Sequence, residues 1–263
     1  MDSRFPYDTL RIALTHEHSR TGAPLLSFEE IRSAAKAAAA LGVRRFHIAG
    51  GEPLEREDIP VLLMMLSSVS VLEDMPLTTN GLLLPRWAKS IRGAGVSRVI
   101  VKLDTFDPAR YRAITGGGDL TAVLAGIRAA MEVGFPPATL QVRLLGGVND
   151  SETPSLVNLT KMTGVSLRLM ELTQEETGAI PGASRLTCEE ALRLAPQLTA
   201  DETIPGVYRL SPAAGTVTLV PCSQRDAGCI TLSADGMLSA GSACKSIRGL
   251  GEEEILSALR AMA

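Results

Sequence analysis

Two hydrophobic rhythms alternate along the first two thirds of the chain. Residues 10–15, Leu10-Arg11-Ile12-Ala13-Leu14-Thr15, have a period of two, which predicts a strand with one buried face. Ile31, Ala34, Ala35, Ala38 and Leu41 then recur at helical spacing, behind the capping box Ser27-Phe28-Glu29-Glu30 and ahead of the stop at Gly42. The pair of rhythms repeats, with strands predicted at residues 44–49, 77–79, 99–103, 140–145 and 167–172. Helices between them are opened by Asp58, Pro85, Asp107-Pro108, Asp119 and Asp150-Ser151. Six strands alternating with helices predict parallel pairing through right-handed crossovers. The natural arrangement is an α/β fold, a six-stranded open (β/α)6 barrel or partial TIM barrel, with function at the C-terminal strand ends.

After Thr173 the pattern changes. Residues 174–184 read as loop, Thr187-Cys188-Glu189-Glu190 as a capping box opening a short helix, and residues 207–210, 216–220, 230–232 and 237–238 as short strands. Asp235-Gly236 is a hairpin signal, and a last helix runs from about residue 252 to 262. The expected division is a barrel over 1–173 and, over 174–263, a small β-rich extension whose final helix packs on the barrel.

Composition narrows this picture. Hydrophobic residues make up 45% of the 263 but aromatics only 3%, so the core must be aliphatic and alanine-rich. A net charge of −3 gives no bulk reason to expect nucleic acid or an anionic membrane as partner. No apolar run approaches the roughly 18 residues of a membrane span, and Met1-Asp2-Ser3-Arg4 opens no signal-peptide apolar region, so a soluble cytoplasmic protein is expected. In that setting Cys188, Cys222, Cys229 and Cys244 are expected as free thiols or metal ligands rather than disulfides.

The sharpest local feature is the second strand ending in Gly50-Gly51-Glu52-Pro53. A buried strand stopping at two glycines predicts a tight loop where the backbone approaches something closely. The amides of Gly50 and Gly51 are expected to face a ligand, with Glu52 accepting from an amine or hydroxyl. This loop takes its place in an ordered series: Leu10-Arg11 before Thr15; Pro24-Leu25-Leu26-Ser27; Gly50-Gly51-Glu52-Pro53-Leu54; Leu77-Thr78-Thr79-Asn80-Gly81-Leu82; Asp104 with Ile114-Thr115-Gly116; Gly147-Val148-Asn149-Asp150; Arg168 with Glu171; and Ala234-Asp235-Gly236. The series resembles the radical S-adenosylmethionine (SAM) superfamily, and within it the MoaA-like GTP cyclases of molybdenum-cofactor synthesis.

The resemblance implies a radical-SAM-like barrel and a set of site positions. Arg11 matches a substrate-contacting arginine, Gly51 and Glu52 match the loop holding the methionyl end of SAM, and Thr78 matches a threonine near the substrate. His47 replaces an arginine, Lys102 a serine that contacts SAM, and Thr139 a lysine. Gly50 and Asn80 join the ligand-binding positions through their motifs. The family's Cys-x-x-x-Cys-x-x-Cys, which holds the SAM-cleaving [4Fe–4S] cluster, is missing: His18 stands where its first cysteine would, and no cysteine precedes Cys188. One imidazole cannot replace three thiolates, so no cluster at the N-terminal site and no radical initiation are expected. Cys222, Cys229 and Cys244 lie where the family has a second cluster, but at unfamiliar spacing. They could hold an Fe–S cluster or zinc; three unligated thiols are the favoured expectation.

With Arg11, His47 and Thr78 facing the interior, strand alternation turns Lys102, Gln141, Arg143 and Glu171 inward too. Such cations, with Glu52 and Asp104, suit a small anionic ligand, a nucleotide or SAM-like, or else internal ion pairs. The expected role is that of a pseudoenzyme, a homo-oligomer or a partner of an active enzyme. The alternative is a repurposed non-radical enzyme, a lyase or transferase using Lys102 with His47 and Glu52 or Glu171. His16-x-His18 with a strand-four lysine is similar to metal-dependent amidohydrolase barrels, but residues 140–145 and 167–172 carry no histidine to complete such a centre.

Overall fold

The structure, a computed structural model, describes residues 5–16, 24–211, 213–225 and 227–262. The elements run β1 (Thr9–Ala13), α1 (Phe28–Ala40), β2 (Arg45–Ala49), α2 (Ile59–Ser67), β3 (Pro76–Thr79), α3 (Leu84–Gly93) and β4 (Arg98–Lys102). They continue through α4 (Pro108–Thr115), α5 (Leu120–Glu132), β5 (Thr139–Gly146), α6 (Thr153–Thr163), β6 (Ser166–Glu171) and α7 (Gln174–Gly178). The remainder is β7 (Ser184–Arg185), α8 (Cys188–Leu194), β8 (Thr199–Ala200), β9 (Val207–Arg209), β10 (Val217–Val220), β11 (Cys229–Leu232), β12 (Met237–Ala240), β13 (Ala243–Ser246) and α9 (Glu252–Ala261). No helix among the described residues is long and apolar enough to cross a membrane.

The described residues fall into two compact units. One takes those within Met1–Thr79, Leu83–Val99 and Asp226–Ala263, the other Asn80–Leu82 and Ile100–Arg225. In the first unit β2 pairs in parallel with both β1 and β3, and β11 joins the free side of β1 in parallel, at Leu10 with Ile230 and Ile12 with Leu232. Antiparallel β12 and β13 follow. Leu10, Ile12, Phe46, Ile48 and Leu77 are fully buried, and α1 packs on β1, α2 and α9 through Ile31, Ala34 and Ala38. Arg56 pins the β1 exit to the start of α1: it donates to the Leu14 and Leu26 carbonyls and lies 4.8 Å over the Phe28 ring.

The second unit is built the same way. Its strands β4, β5 and β6 are parallel, β10 adds a fourth parallel strand beside β6, and antiparallel β9 and β8 follow. Two-residue β7 crosses the end of β5. The expected boundary after residue 173 is therefore not where the chain divides. Strands read as an extension are instead hydrogen-bonded into the parallel sets, β10 to β6 and β11 to β1, because each set has an unpaired edge to satisfy.

Most helix starts follow the expected chemistry. Ser27 and Thr187 form full capping boxes, and Asp107 and Asp119 accept backbone N–H groups. Asp58 does not cap α2 with its side chain; it sits in the left-handed region at φ 52°, and Pro60 supplies the first turn. Residues 174–178, read as loop, are helical: Thr173 and Glu176 make a capping box visible as Thr-x-x-Glu in the sequence. Arg225 closes on this turn, bonding both Glu176 carboxyl oxygens at 2.5 and 2.8 Å.

Asn149 is the buried polar anchor of the second unit. Its Oδ1 accepts from the Leu145 amide at 2.9 Å, and its Nδ2 donates to the Asp104 and Arg143 carbonyls at 2.7 and 2.8 Å. Asn149→Ala strands those groups and is expected to cost about 2–4 kcal/mol, read as a lower urea midpoint at unchanged slope. A second expectation concerns acid. The Arg225 hydrogen bonds outweigh the effect of burial and, helped by the Thr173 amide, hold the Glu176 carboxyl down to about 2. The pair's contribution is then complete above the ordinary value of 4.5 and is lost as pH falls towards 2. Arg225→Gln should lower stability by ~1 kcal/mol or less at neutral pH, since Glu176 is partly exposed, and the gap should narrow on acidification. A gap independent of pH in equilibrium unfolding would contradict the assignment.

Candidate functional site

In the first unit, the exits of β1, β2 and β3 meet at the Gly50-Gly51-Glu52-Pro53 turn. The Gly51 amide donates to the Thr15 carbonyl at 3.2 Å, and the Glu52 amide to Thr15 Oγ1 at 2.9 Å. A Cβ on Gly50, whose φ is 116°, would stand 2.6 Å from the Thr15 oxygen, and one on Gly51 2.3 Å from the His16 oxygen. The expected close approach is thus made by the chain's own β1 exit, and the Gly51 N–H is committed there rather than presented to a ligand. Glu52 is buried, and its Oε1 accepts from Thr79 Oγ1 at 2.8 Å and from the Leu54 amide at 3.1 Å.

Beside this turn lies a polar wall. Arg11 pairs with His47 in register, and the His47 ring nitrogen Nε2 shares a 2.7 Å hydrogen bond with Thr78 Oγ1. Arg11 and His47 are half-buried while Thr78 is buried, so the three form a polar stripe on the face opposite Leu10, Ile12, Phe46 and Ile48. Arg11, His47, Gly50, Gly51, Glu52 and Thr78 therefore all belong to one unit. His18 and the segment after it lie outside the described residues.

In the second unit a polar row runs across four strands. Lys102 is in register with Gln141, Gln141 with Arg168, and Arg168 with Thr218, all half-buried. Arg143, one pleat further along the same face, is bound to Asp104: its Nε meets Oδ2 at 2.9 Å and its backbone N–H meets Oδ1 at 2.8 Å. Asp104, weighed from sequence as a partner of Lys102, is paired with Arg143. Asn80 closes a local turn by accepting the Leu82 amide at 3.0 Å, and Gly81 packs against Val101 and Val123.

Glu171, expected to face inward, does not share the face of the polar row. Its register partner is Leu144, whereas Arg143 pairs with Met170, so Glu171 faces the side opposite Lys102, Gln141 and Arg143. The buried positions of β6 are Leu167, Leu169 and Glu171, which share the layer against α6 and α8. There Glu171 binds the Arg185 guanidinium and the Cys188 amide. Burial opposes its ionisation, yet the Arg185 hydrogen bonds prevail and keep its carboxyl below the ordinary carboxylate range. No sequence signal marked Arg185, which reaches Glu171 from the two-residue β7. Strand alternation accounts for this, because Glu171 is an odd number of residues from Arg168 along β6.

Cys222, Cys229 and Cys244 are weighed from sequence as a ligand set, with unligated thiols favoured. No group of three or more His, Cys, Asp or Glu residues among those described is placed to hold a metal ion. Cys222 donates to the Glu171 carbonyl at 3.3 Å, Cys229 lies on β11 in register with Thr9, and Cys244 is exposed on β13. The buried Cys188 thiol is pushed up to about 11, chiefly by burial and then by the Glu171 carboxylate.

Similarity to known proteins accounts for this arrangement of turns. The radical SAM superfamily profile matches residues 7–160. The GTP 3′,8-cyclase of Alkaliphilus oremlandii (strain OhILAs) is 35% identical over 223 residues, which span 81% of this chain and 70% of that protein. A probable GTP 3′,8-cyclase of Archaeoglobus fulgidus is 45% identical over 135 residues, 51% of this chain and 45% of the other. The chain thus spans between about half and 70% of these curated relatives. Among solved structures, Streptococcus suis SuiB bound to S-adenosylmethionine superposes with a TM-score of 0.66 at 13% identity, over 93% of this chain and 64% of that one, a likeness of fold alone. This chain belongs to the radical SAM superfamily, among the homologues of GTP 3′,8-cyclase, and its α/β fold is of that class.

Proposed function

We propose that this chain is a MoaA-like radical SAM homologue that has lost its catalytic [4Fe–4S] centre. It binds a small anionic ligand, a nucleotide or a SAM-like molecule, without radical chemistry, as a pseudoenzyme or as the partner of an active enzyme in the cytoplasm. One observation carries this reading. The stretch that matches the superfamily, residues 7–160, contains no cysteine at all. A cluster of that kind needs three thiolates at fixed spacing, and histidine at position 18 supplies one harder donor. The residues present do not fit the cluster.

Ligand binding draws support from the two half-buried polar stripes, Arg11–His47–Thr78 in one unit and Lys102–Gln141–Arg168–Thr218 in the other. Each carries positive charge on a face otherwise walled by apolar strands, where attraction for an anion is less screened than in water. The non-radical lyase or transferase alternative has no comparable support. Glu171 is turned to the other face and paired with Arg185, and Oε1 of Glu52 is taken by Thr79 and Leu54.

Anaerobic reconstitution with iron and sulfide is expected to leave the protein without the broad visible absorption of a [4Fe–4S] cluster, and SAM uncleaved under reductant. A stoichiometric cluster would overturn the proposed loss. Separately, melting in the presence of SAM, S-adenosylhomocysteine or GTP is expected to rise for at least one of them. Saturation at a hundredfold excess over Kd adds ~2.7 kcal/mol. Arg11→Ala should remove most of the shift, and the absence of any shift would sink the binding half while leaving the cluster half standing.

A further inference from the structure

Residues 75–103 contain no acid, while Arg86, Lys89, Arg92, Arg98 and Lys102 fall within them, in a chain whose net charge is −3. Three of these cations lie on α3 at i, i+3 and i+6, with no acid on the same helix. Among the described residues, the ion pairs of this unit use Lys36, Arg45 and Arg98 and leave out Arg86 and Lys89, both exposed. The Arg86 guanidinium lies 4.7 Å over the ring of Trp87, which is half-buried and is the chain's one tryptophan. Alongside, α2 carries no charge and opens an apolar face: Val61 is 45% exposed, Met64 53%, and Met65 is half-buried. Spacings of three and four residues put these side chains on one side of the helix. A Cβ on Gly95, just past α3, would stand 2.7 Å from Ser67 at the end of α2, so the two helix ends lie together. An apolar strip thus runs beside a cationic one.

We propose that this face docks an acidic amphipathic segment of another protein, a short helix whose apolar side chains lie on Val61 and Met64 and whose carboxylates meet Arg86 and Lys89. Charge complementarity sets the sign of the occupant, and Trp and Arg are the side chains that most often anchor such contacts. Glu57 and Asp58 precede α2 and are exposed, which confines the segment's negative charge to the α3 side. Size sets the kind of occupant. Two helices of nine and ten residues, packed roughly 10 Å apart, offer on the order of 300 Å². A stable dimer needs roughly 800 Å² from each copy, so the area suits a single segment held transiently. An anionic membrane is the poorer match, since polybasic anchors use about 4–8 cations and the chain as a whole is acidic. The face makes no use of Arg11, His47 or Thr78, so the inference stands apart from the proposed ligand.

The experiment titrates the full chain with a synthetic amphipathic helix of about 18 residues, bearing leucines at i, i+3, i+4 and i+7 and glutamates on its flanks. A control peptide carries lysine in place of each glutamate. The expected result is a saturable blue shift of the Trp87 emission with the acidic peptide alone. Anisotropy of the labelled peptides then tests the residues. Arg86→Glu combined with Lys89→Glu should weaken the acidic peptide by about tenfold or more and bring binding of the lysine peptide, and Met64→Ser should weaken both. All three positions are exposed, so the variants are expected to fold. The proposal is overturned if the acidic peptide leaves Trp87 unchanged, if the wild-type chain binds both peptides alike, or if the charge reversal changes nothing. It is equally overturned if vesicles of phosphatidylserine and phosphatidylcholine bind in preference to the peptide. Self-association that Met64→Ser abolishes would give the face to a second copy and overturn it too.

Discussion

A buried carboxyl group must have its hydrogen bonds supplied from within, and Glu52 meets that demand by tying three strand exits together. Its own amide reaches Thr15 after β1, it follows β2 directly, and its Oε1 takes the hydroxyl of Thr79 at the end of β3. An orphaned buried polar group costs on the order of 1–3 kcal/mol, so the three exits are coupled: moving one breaks the satisfaction of the others. The glycines before it serve the same closure, because a side chain at either position would run into the Thr15–His16 backbone. The Arg11–His47–Thr78 stripe is held in place by this knot, and the polar face exists because the strand ends beneath it are pinned.

The second unit solves the equivalent problem with an amide. Asn149 lies at the exit of β5 and bonds the Asp104 carbonyl beyond β4, while Asp104 in turn grips Arg143. Each unit therefore sets its polar face by one buried side chain that reads backbone groups of neighbouring strand exits. In the second unit Arg143 is compensated by Asp104, so the ion pair is part of the same closure.

What the sequence disclosed follows from range. The strands β1 to β6 and the caps at Ser27, Asp107, Asp119 and Thr187 depend on patterning within a few residues, and their positions agree with the structure to within one or two residues. The stripe of Arg11, His47 and Thr78 was legible for the same reason, since alternation along short strands fixes a face. What stayed hidden depends on long-range pairing. That β10 would lie beside β6 and β11 beside β1 is a question of which edge is open, and no local pattern states it. Arg185 was hidden because two residues of β7 carry no period. The α7 capping box is legible as Thr173-x-x-Glu176, but the following residues lack an apolar stripe to confirm a helix.

The persistence of Gly50-Gly51-Glu52-Pro53 in a chain without the family's cysteines has a physical explanation that does not invoke a ligand. Were the glycines kept only to let a cofactor approach, their requirement would vanish with the cofactor. Here their missing side chains are matched by backbone atoms of the same unit at distances no Cβ tolerates, and Glu52 is tied into the fold through Thr15, Leu54 and Thr79. Replacing them would disturb the β1 exit whatever the protein binds. The motif is thus a structural joint of the first unit, a duty that stands whatever the protein binds.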